Sequence, residues 1–139
     1  MSKFGFGALG KQIQQRMEAS IPGCLDIAQQ KFEEAFAKQG WDGNDWEEVQ
    51  RRIAGTQAYR RGTLSDRSRP ILIGRTGTLS QTVSHPIRVF SRTWGQLRMP
   101  VPYAEYHNIG TDRIPQRTFV DQTDDITVAQ RAHIINMIG

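Results

Sequence analysis

Leu25, Ala28, Phe32, Ala35 and Phe36 fall on one helical face, opposite Gln29, Lys31, Glu33 and Lys38. This 3.6-residue spacing commits the segment to an amphipathic helix with one buried side, around which the rest of the fold has to be arranged. Ser20 stands where an N-cap belongs and Pro22 falls in the first turn, so a helix is expected to start there. Gly40 follows where a C-terminal glycine belongs, and Trp41-Asp42-Gly43-Asn44-Asp45-Trp46 reads as a tight turn whose two indoles pin the helix end to the core.

Upstream, Leu9, Ile13 and Met17 recur every four residues between Ala8 and Ala19, which predicts an earlier amphipathic helix broken at Pro22-Gly23. Residues 1–10 carry Gly5, Gly7 and Gly10 with Phe4 and Phe6 and read as a flexible arm. Residues 51–69 hold Arg51, Arg52, Arg60, Arg61, Arg67 and Arg69 with little periodicity, and read as a long basic loop that orders on assembly.

Beyond it, Ile71-Leu72-Ile73 is expected to be a short buried strand or helix edge, closed by Gly74 and reopened after Thr76-Gly77 by Leu79 and Val83. Ile87 to Phe90 and Trp94 to Met99 form a candidate β-hairpin. Tyr103 to His107 predicts a short helix stopped by Gly110, and Ile114-Pro115 opens an extended piece through Phe119 and Val120. A terminal helix capped by Asp121, with Asp124 and Asp125 in its first turn, would turn Ile126, Ala129, His133 or Ile134, and Met137 to one side. The expectation is a single α+β domain over residues 1–139, a small antiparallel sheet flanked by N-terminal and C-terminal helices.

Composition narrows the function. With 37% hydrophobic and 23% charged residues the chain has enough apolar material for a core without staples. A net charge of +4 permits a polyanionic neighbour without demanding one. Cys24 alone excludes an intrachain disulfide, fits synthesis in a reducing compartment and reads as a buried thiol. No apolar run approaches the roughly 18–20 residues that span a bilayer, so no membrane role is expected. His85, His107 and His133 are too far apart for a local metal site, and one cysteine excludes paired-thiol zinc spacings. His107, near Glu105 and Asp112, has the surroundings of a general base, but no nucleophile motif accompanies it, and the plainer reading is a helix-end histidine bonded to backbone. Gly74-Arg75-Thr76-Gly77-Thr78 lacks the lysine of a phosphate loop and reads as a turn. Neither an enzyme nor a cofactor is expected.

Three motifs taken in order carry a resemblance: Phe36 at a helix end followed by Gly43 and Trp46; Ile71-Leu72-Ile73 running into Thr76-Gly77-Thr78-Leu79; and Tyr103-Ala104 with His107 and Gly110, followed by Pro115, Arg117 and Phe119. Together, over roughly residues 30 to 120, they resemble the bacteriophage virion morphogenesis, or tail-completion, family. The resemblance implies a structural virion protein, a tail-completion or neck subunit that assembles, typically as a hexameric ring, with other phage tail and head-neck proteins. It would reside in the virion tail or neck after assembly in the host cytoplasm, and it implies no catalytic residues. Trp46, Thr76, Gly77, Leu79, Tyr103, Ala104, His107, Gly110, Pro115, Arg117 and Phe119 are then assembly or structural residues. Arg60, Arg61, Arg67 and Arg69 are candidates for subunit contacts or passing contact with genomic DNA, and the alternative function is a small basic DNA-binding module. Pro115 and Arg117 are expected to support the Tyr103 to Gly110 helix.

Overall fold

The computed structural model describes residues 6–74 and 76–139, Phe6 by its backbone alone. The fold is α+β. Helix α1 runs Phe6–Lys38, followed by a hairpin of β1, Gly40–Trp41, and β2, Asn44–Asp45. A 3-10 turn at Gln50–Arg52 leads into three short helices: α2, Gln57–Arg61; α3, Leu64–Ser68; and α4, Thr78–Ser84. A second hairpin pairs β3, Ile87–Phe90, with β4, Gly95–Arg98, and helices α5, Ala104–Ile109, and α6, Asp124–Ile138, follow. Among the described residues the sheet content is two separate antiparallel pairs instead of one small sheet. The expected hairpin is present, with Ile87 opposite Arg98 and Phe90 opposite Gly95.

The chain divides into two compact units. The first holds α1 up to Gln30, the β3-β4 hairpin and α6. Here the two helices expected on either side of Pro22 are one, 33 residues and about 50 Å long. Proline inside a helix removes a donor and normally kinks or breaks it. Tertiary packing overrides that preference: a Cβ on Gly23 would lie 2.1 Å from His133 Nε2, so the Pro22-Gly23 step is a notch that seats α6. Gln130 Nε2 on α6 donates to the Cys24 carbonyl at 3.0 Å. Ser20 is therefore not a cap; it is buried and donates to the Met17 carbonyl at 2.5 Å, a back-bond that replaces capping. The glycine-rich arm also changes meaning, since residues 6–10 are helical and residues 1–5 lie outside the described residues. Cys24 is half-buried, not enclosed, and burial raises its thiol pKa. Helix α6 starts after Thr123 instead of Asp121, with Asp124 and Asp125 in its first turn as expected. Ile126 is buried and Gln130, His133 and Ile134 half-buried, so Ala129 and Met137 are not on the packed side. Arg88 on β3 closes the unit with an ion pair to Asp26 at 2.5 Å and a bond to Gln29 at 2.7 Å.

The second unit comprises residues 31–86 and 99–121. Its centre is aromatic: the Phe36 ring meets Trp46 and Phe119 edge-on, each at 5.4 Å. Phe32, Ala35, Ile71, Leu79 and Val83 complete the buried set. Helix α1 ends one residue earlier than the expected Gly40 stop, at Gln39, which takes the left-handed conformation with φ 55°. Its amide donates to the Phe36 carbonyl at 2.7 Å and its side-chain oxygen accepts from Ile71 N. Gly40 has a different purpose: a Cβ there would lie 2.6 Å from the Asn44 carbonyl oxygen, so only glycine lets β2 return so closely. Asp42 and Gly43 both have positive φ, the signature of a type I′ hairpin turn.

Candidate functional site

The third sequence motif builds a hydrogen-bonded return of the chain in the second unit. Helix α5 is halted by Gly110, whose φ of 83° and close approach to Gln116 exclude a side chain. The chain then doubles back, and Arg117 N donates to the His107 carbonyl at 2.8 Å. Asn108 fastens the returning segment: its Oδ1 accepts from Phe119 N at 2.9 Å and Val120 N at 3.0 Å, and its Nδ2 donates to the Val120 carbonyl at 3.0 Å. One amide side chain thereby satisfies backbone groups that would otherwise be stranded without a strand partner.

Arg117 was expected to brace α5. Its backbone does so, but its guanidinium turns elsewhere, donating from Nε to the Glu47 carbonyl at 2.9 Å and from Nη2 to the Glu48 carbonyl at 3.3 Å. The residue is 6% exposed. Burial lowers its pKa, opposed by Glu47 and Glu48. Trp46 Nε1 donates to the Thr118 carbonyl at 2.8 Å, so the first and third motifs are joined by both Trp46 and Arg117. Phe119 is 1% exposed, and Pro115 and Ala104 are half-buried.

The second motif supplies a turn. Pro70 to Ile73 is not a strand or helix edge but a bend in which Leu72 has φ 60° and Ile73 N donates to the Pro70 carbonyl at 3.3 Å. Gly77, at φ 64°, precedes α4 and fits the expectation of a turn that begins a new element. Leu79 is then buried. Thr76, Leu79, Tyr103, His107 and Arg117 share a hollow of about 280 Å³ with Val49, Arg51 and Leu72. His107 is half-buried, and its Nδ1 is buried with no hydrogen-bond partner among the described residues. Burial and then Arg117 lower its pKa from 6.5. The edge of Tyr103 meets its ring at 6.2 Å.

The basic segment 51–69 is not a loop but a 3-10 turn and two short helices held by its own arginines. Arg51 donates to the carbonyls of Asp66, Arg69 and Pro70, each at 2.7 Å. Asp66 is buried, forms a capping box with Thr63 and pairs with Arg69 at 2.6 Å. Arg67 donates to the Tyr59 carbonyl at 3.0 Å, its guanidinium 4.3 Å from the Tyr59 ring. Arg60 reaches the Gly55 carbonyl at 3.0 Å, while Arg61 is exposed. The candidate partner-contact arginines are thus unequal: Arg67 and Arg69 organise the segment, and Arg60 and Arg61 face outward. Asn108, Gln39 and Asp66 were missed by sequence reading. Only Asp66 left a signal, Thr63 three residues before an acidic side chain.

Among the described residues no group of three or more His, Cys, Asp or Glu could hold a metal ion, and no helix is long and apolar enough to cross a membrane. Comparison with protein-family models, curated proteins and solved structures gives no match in any of the three.

Proposed function

We propose that this chain is a non-enzymatic structural subunit of a tailed bacteriophage, acting in the tail-completion or neck ring that joins tail to head. The phage assignment rests on the three ordered sequence motifs. The observation that carries the assembly role is the first half of α1, where Gly7 through Met17 are all exposed, with Leu9 at 53%, Ile13 at 36% and Met17 at 47%. A solvated helical run this short, containing two glycines, is marginal in water without a partner for its apolar stripe. Neighbouring subunits in a ring supply that partner through a heterologous contact that closes on itself. Tyr106 and Ile109 on α5, and Ile87, Phe90 and Trp94 on the β3-β4 hairpin, are further exposed apolar residues suited to subunit contacts.

Light scattering across a concentration series, with negative-stain images, tests the proposal. Rings of about six 15.8 kDa chains are the expected result. A monomer at every concentration that also binds duplex DNA with a steep salt dependence would overturn it and point to Arg60 and Arg61 as phosphate contacts.

A further inference from the structure

Helix α6 is apolar on two sides. Ile126 is buried, and Ile134 shares a hollow with Ser20 and Cys24 of α1. On the opposite side Val128, Ala132 and Ile135, spaced i, i+4 and i+7, are exposed, Val128 at 64% and Ile135 at 66%. A helix apolar on both sides is the pattern of an interior element, so its outer face calls for a cover. The first half of the same α1 cannot supply it. Helix α6 runs antiparallel along α1, with Gln130 at Cys24, His133 at Gly23 and the Ile138 carbonyl at Arg16, so its outer side points away from α1. That seam ends near Arg16, which leaves Leu9 and Ile13 beyond it and Met17 at its margin, 47% exposed. One chain therefore exposes two apolar stripes of similar length, about 12 Å from Leu9 to Met17 and about 11 Å from Val128 to Ile135, that cannot meet within it.

Charge decides which surfaces pair. Residues 6–17 contain Lys11 and Arg16 and no acid, whereas residues 121–130, which lead into and open α6, contain Asp121, Asp124 and Asp125 and no base. Two α1 stripes brought together would oppose like charges, and so would two α6 outer faces, while α1 against α6 brings opposite signs together. The β3-β4 hairpin is a poorer mate for the stripe, since it carries Arg88, Arg92 and Arg98 without an acid. Helix α5 exposes Tyr106 and Ile109, but its 6 residues are too short for the stripe. We infer that the Leu9-Ile13-Met17 stripe of one subunit docks on the Val128-Ala132-Ile135 face of α6 in the next subunit. This rests on the assembly reading above and gives it a specific interface. The small Ala132 between Val128 and Ile135 leaves room for Ile13, the central side chain of the other stripe. Each chain carries one copy of each surface, so the contact is head-to-tail and every subunit is held twice, the arrangement that closes into a ring.

The test is disulfide cross-linking of the full chain under mild oxidation. In a Cys24→Ser background, Ile13→Cys combined with Ala132→Cys is expected to give a ladder of covalent species that extends beyond the dimer. Either substitution alone is expected to leave the denatured chain at 15.8 kDa. Ile13→Cys combined with Trp94→Cys, which would join the stripe to the hairpin, is expected to give no ladder. A second measurement does not depend on the cysteine background: Val128→Gln with Ile135→Gln alters only exposed side chains, and is expected to keep its circular dichroism and lose the multi-subunit mass of the unaltered chain. With the unaltered chain assembled, several results would overturn the inference and leave the ring reading standing. These are no ladder in folded Ile13→Cys, Ala132→Cys; dimers from Ile13→Cys alone, which would assign the stripe to a second α1; a ladder through Trp94→Cys, which would assign it to the hairpin; or undiminished assembly of the folded Val128→Gln, Ile135→Gln variant. An unaltered chain that stays at 15.8 kDa at every concentration would overturn both.

Discussion

The two halves of helix α1 carry the same kind of apolar repeat and meet opposite fates. Leu25, Ala28, Phe32, Ala35 and Phe36 are all buried at 8% exposure or less, whereas Leu9, Ile13 and Met17 remain at 36% or more. Periodicity shows that a face exists; what covers it depends on elements far away in sequence. Leu25 has β4 against it, since a Cβ on Gly95 would come within 3.1 Å of its side chain. Phe36 has Trp46 and Phe119. The stripe from Leu9 to Met17 is as apolar as a core stripe but stays solvent-exposed in the isolated chain. The difference separates residues that make the fold from residues that we propose meet a neighbouring subunit.

The sharpest way to break this comparison is to disturb the covered half. Phe119→Ala removes a ring that packs on Phe36, and a loss of about 3–5 kcal/mol is expected from chemical denaturation. A loss below about 1 kcal/mol would mean that the Phe36 end of α1 is less firmly held than its burial implies. Next in size is Arg117→Ala, expected to cost about 2–3 kcal/mol because the Glu47 and Glu48 carbonyls lose their donor. Arg117→Lys should recover only part of this, since an ammonium cannot reproduce the planar fork. Full recovery would show that charge, not donor geometry, holds the seam.

A smaller effect is expected from pH. The folded-state pKa of His107 lies below its ordinary 6.5, so just below pH 6.5 the folded chain binds fewer protons than the unfolded chain. Its contribution therefore makes stability fall as pH drops through 6.5 and level off below the folded-state value. Denaturant melts at stepped pH should show this slope in the unaltered chain and a flatter one in His107→Phe. An identical slope in both would assign the effect to other groups.

Legibility in the sequence followed the distance over which the determining contacts act. The Leu25 to Phe36 face, the β3-β4 hairpin, the Gly77 turn and the Gly110 stop are set by local spacing or backbone preference, and each is present. The helix break at Pro22 was misread because the seat of His133 on Gly23 arises from a residue more than a hundred positions away. The segment 51–69 was misread because composition reports the charge of its arginines but not the carbonyls they meet. The same limit hid Asn108: an amide after a histidine is unremarkable in sequence, and its bonds to Phe119 and Val120 appear only once the chain doubles back. His107, Arg117, Thr76 and Leu79 were singled out separately, but the hollow that they share depends on how the turns at Leu72 and Gly110 are folded.

The most direct measurement is the light-scattering mass of the unaltered chain beside that of a Leu9→Gln, Ile13→Gln, Met17→Gln variant. These side chains are exposed in the isolated chain, so the variant should keep its circular dichroism and change monomer stability by no more than about 0.5 kcal/mol per site. The account predicts a multi-subunit mass for the unaltered chain and a mass near 15.8 kDa for the variant. A folded variant that assembles as well as the unaltered chain, or an unaltered chain that stays at 15.8 kDa throughout, would contradict it.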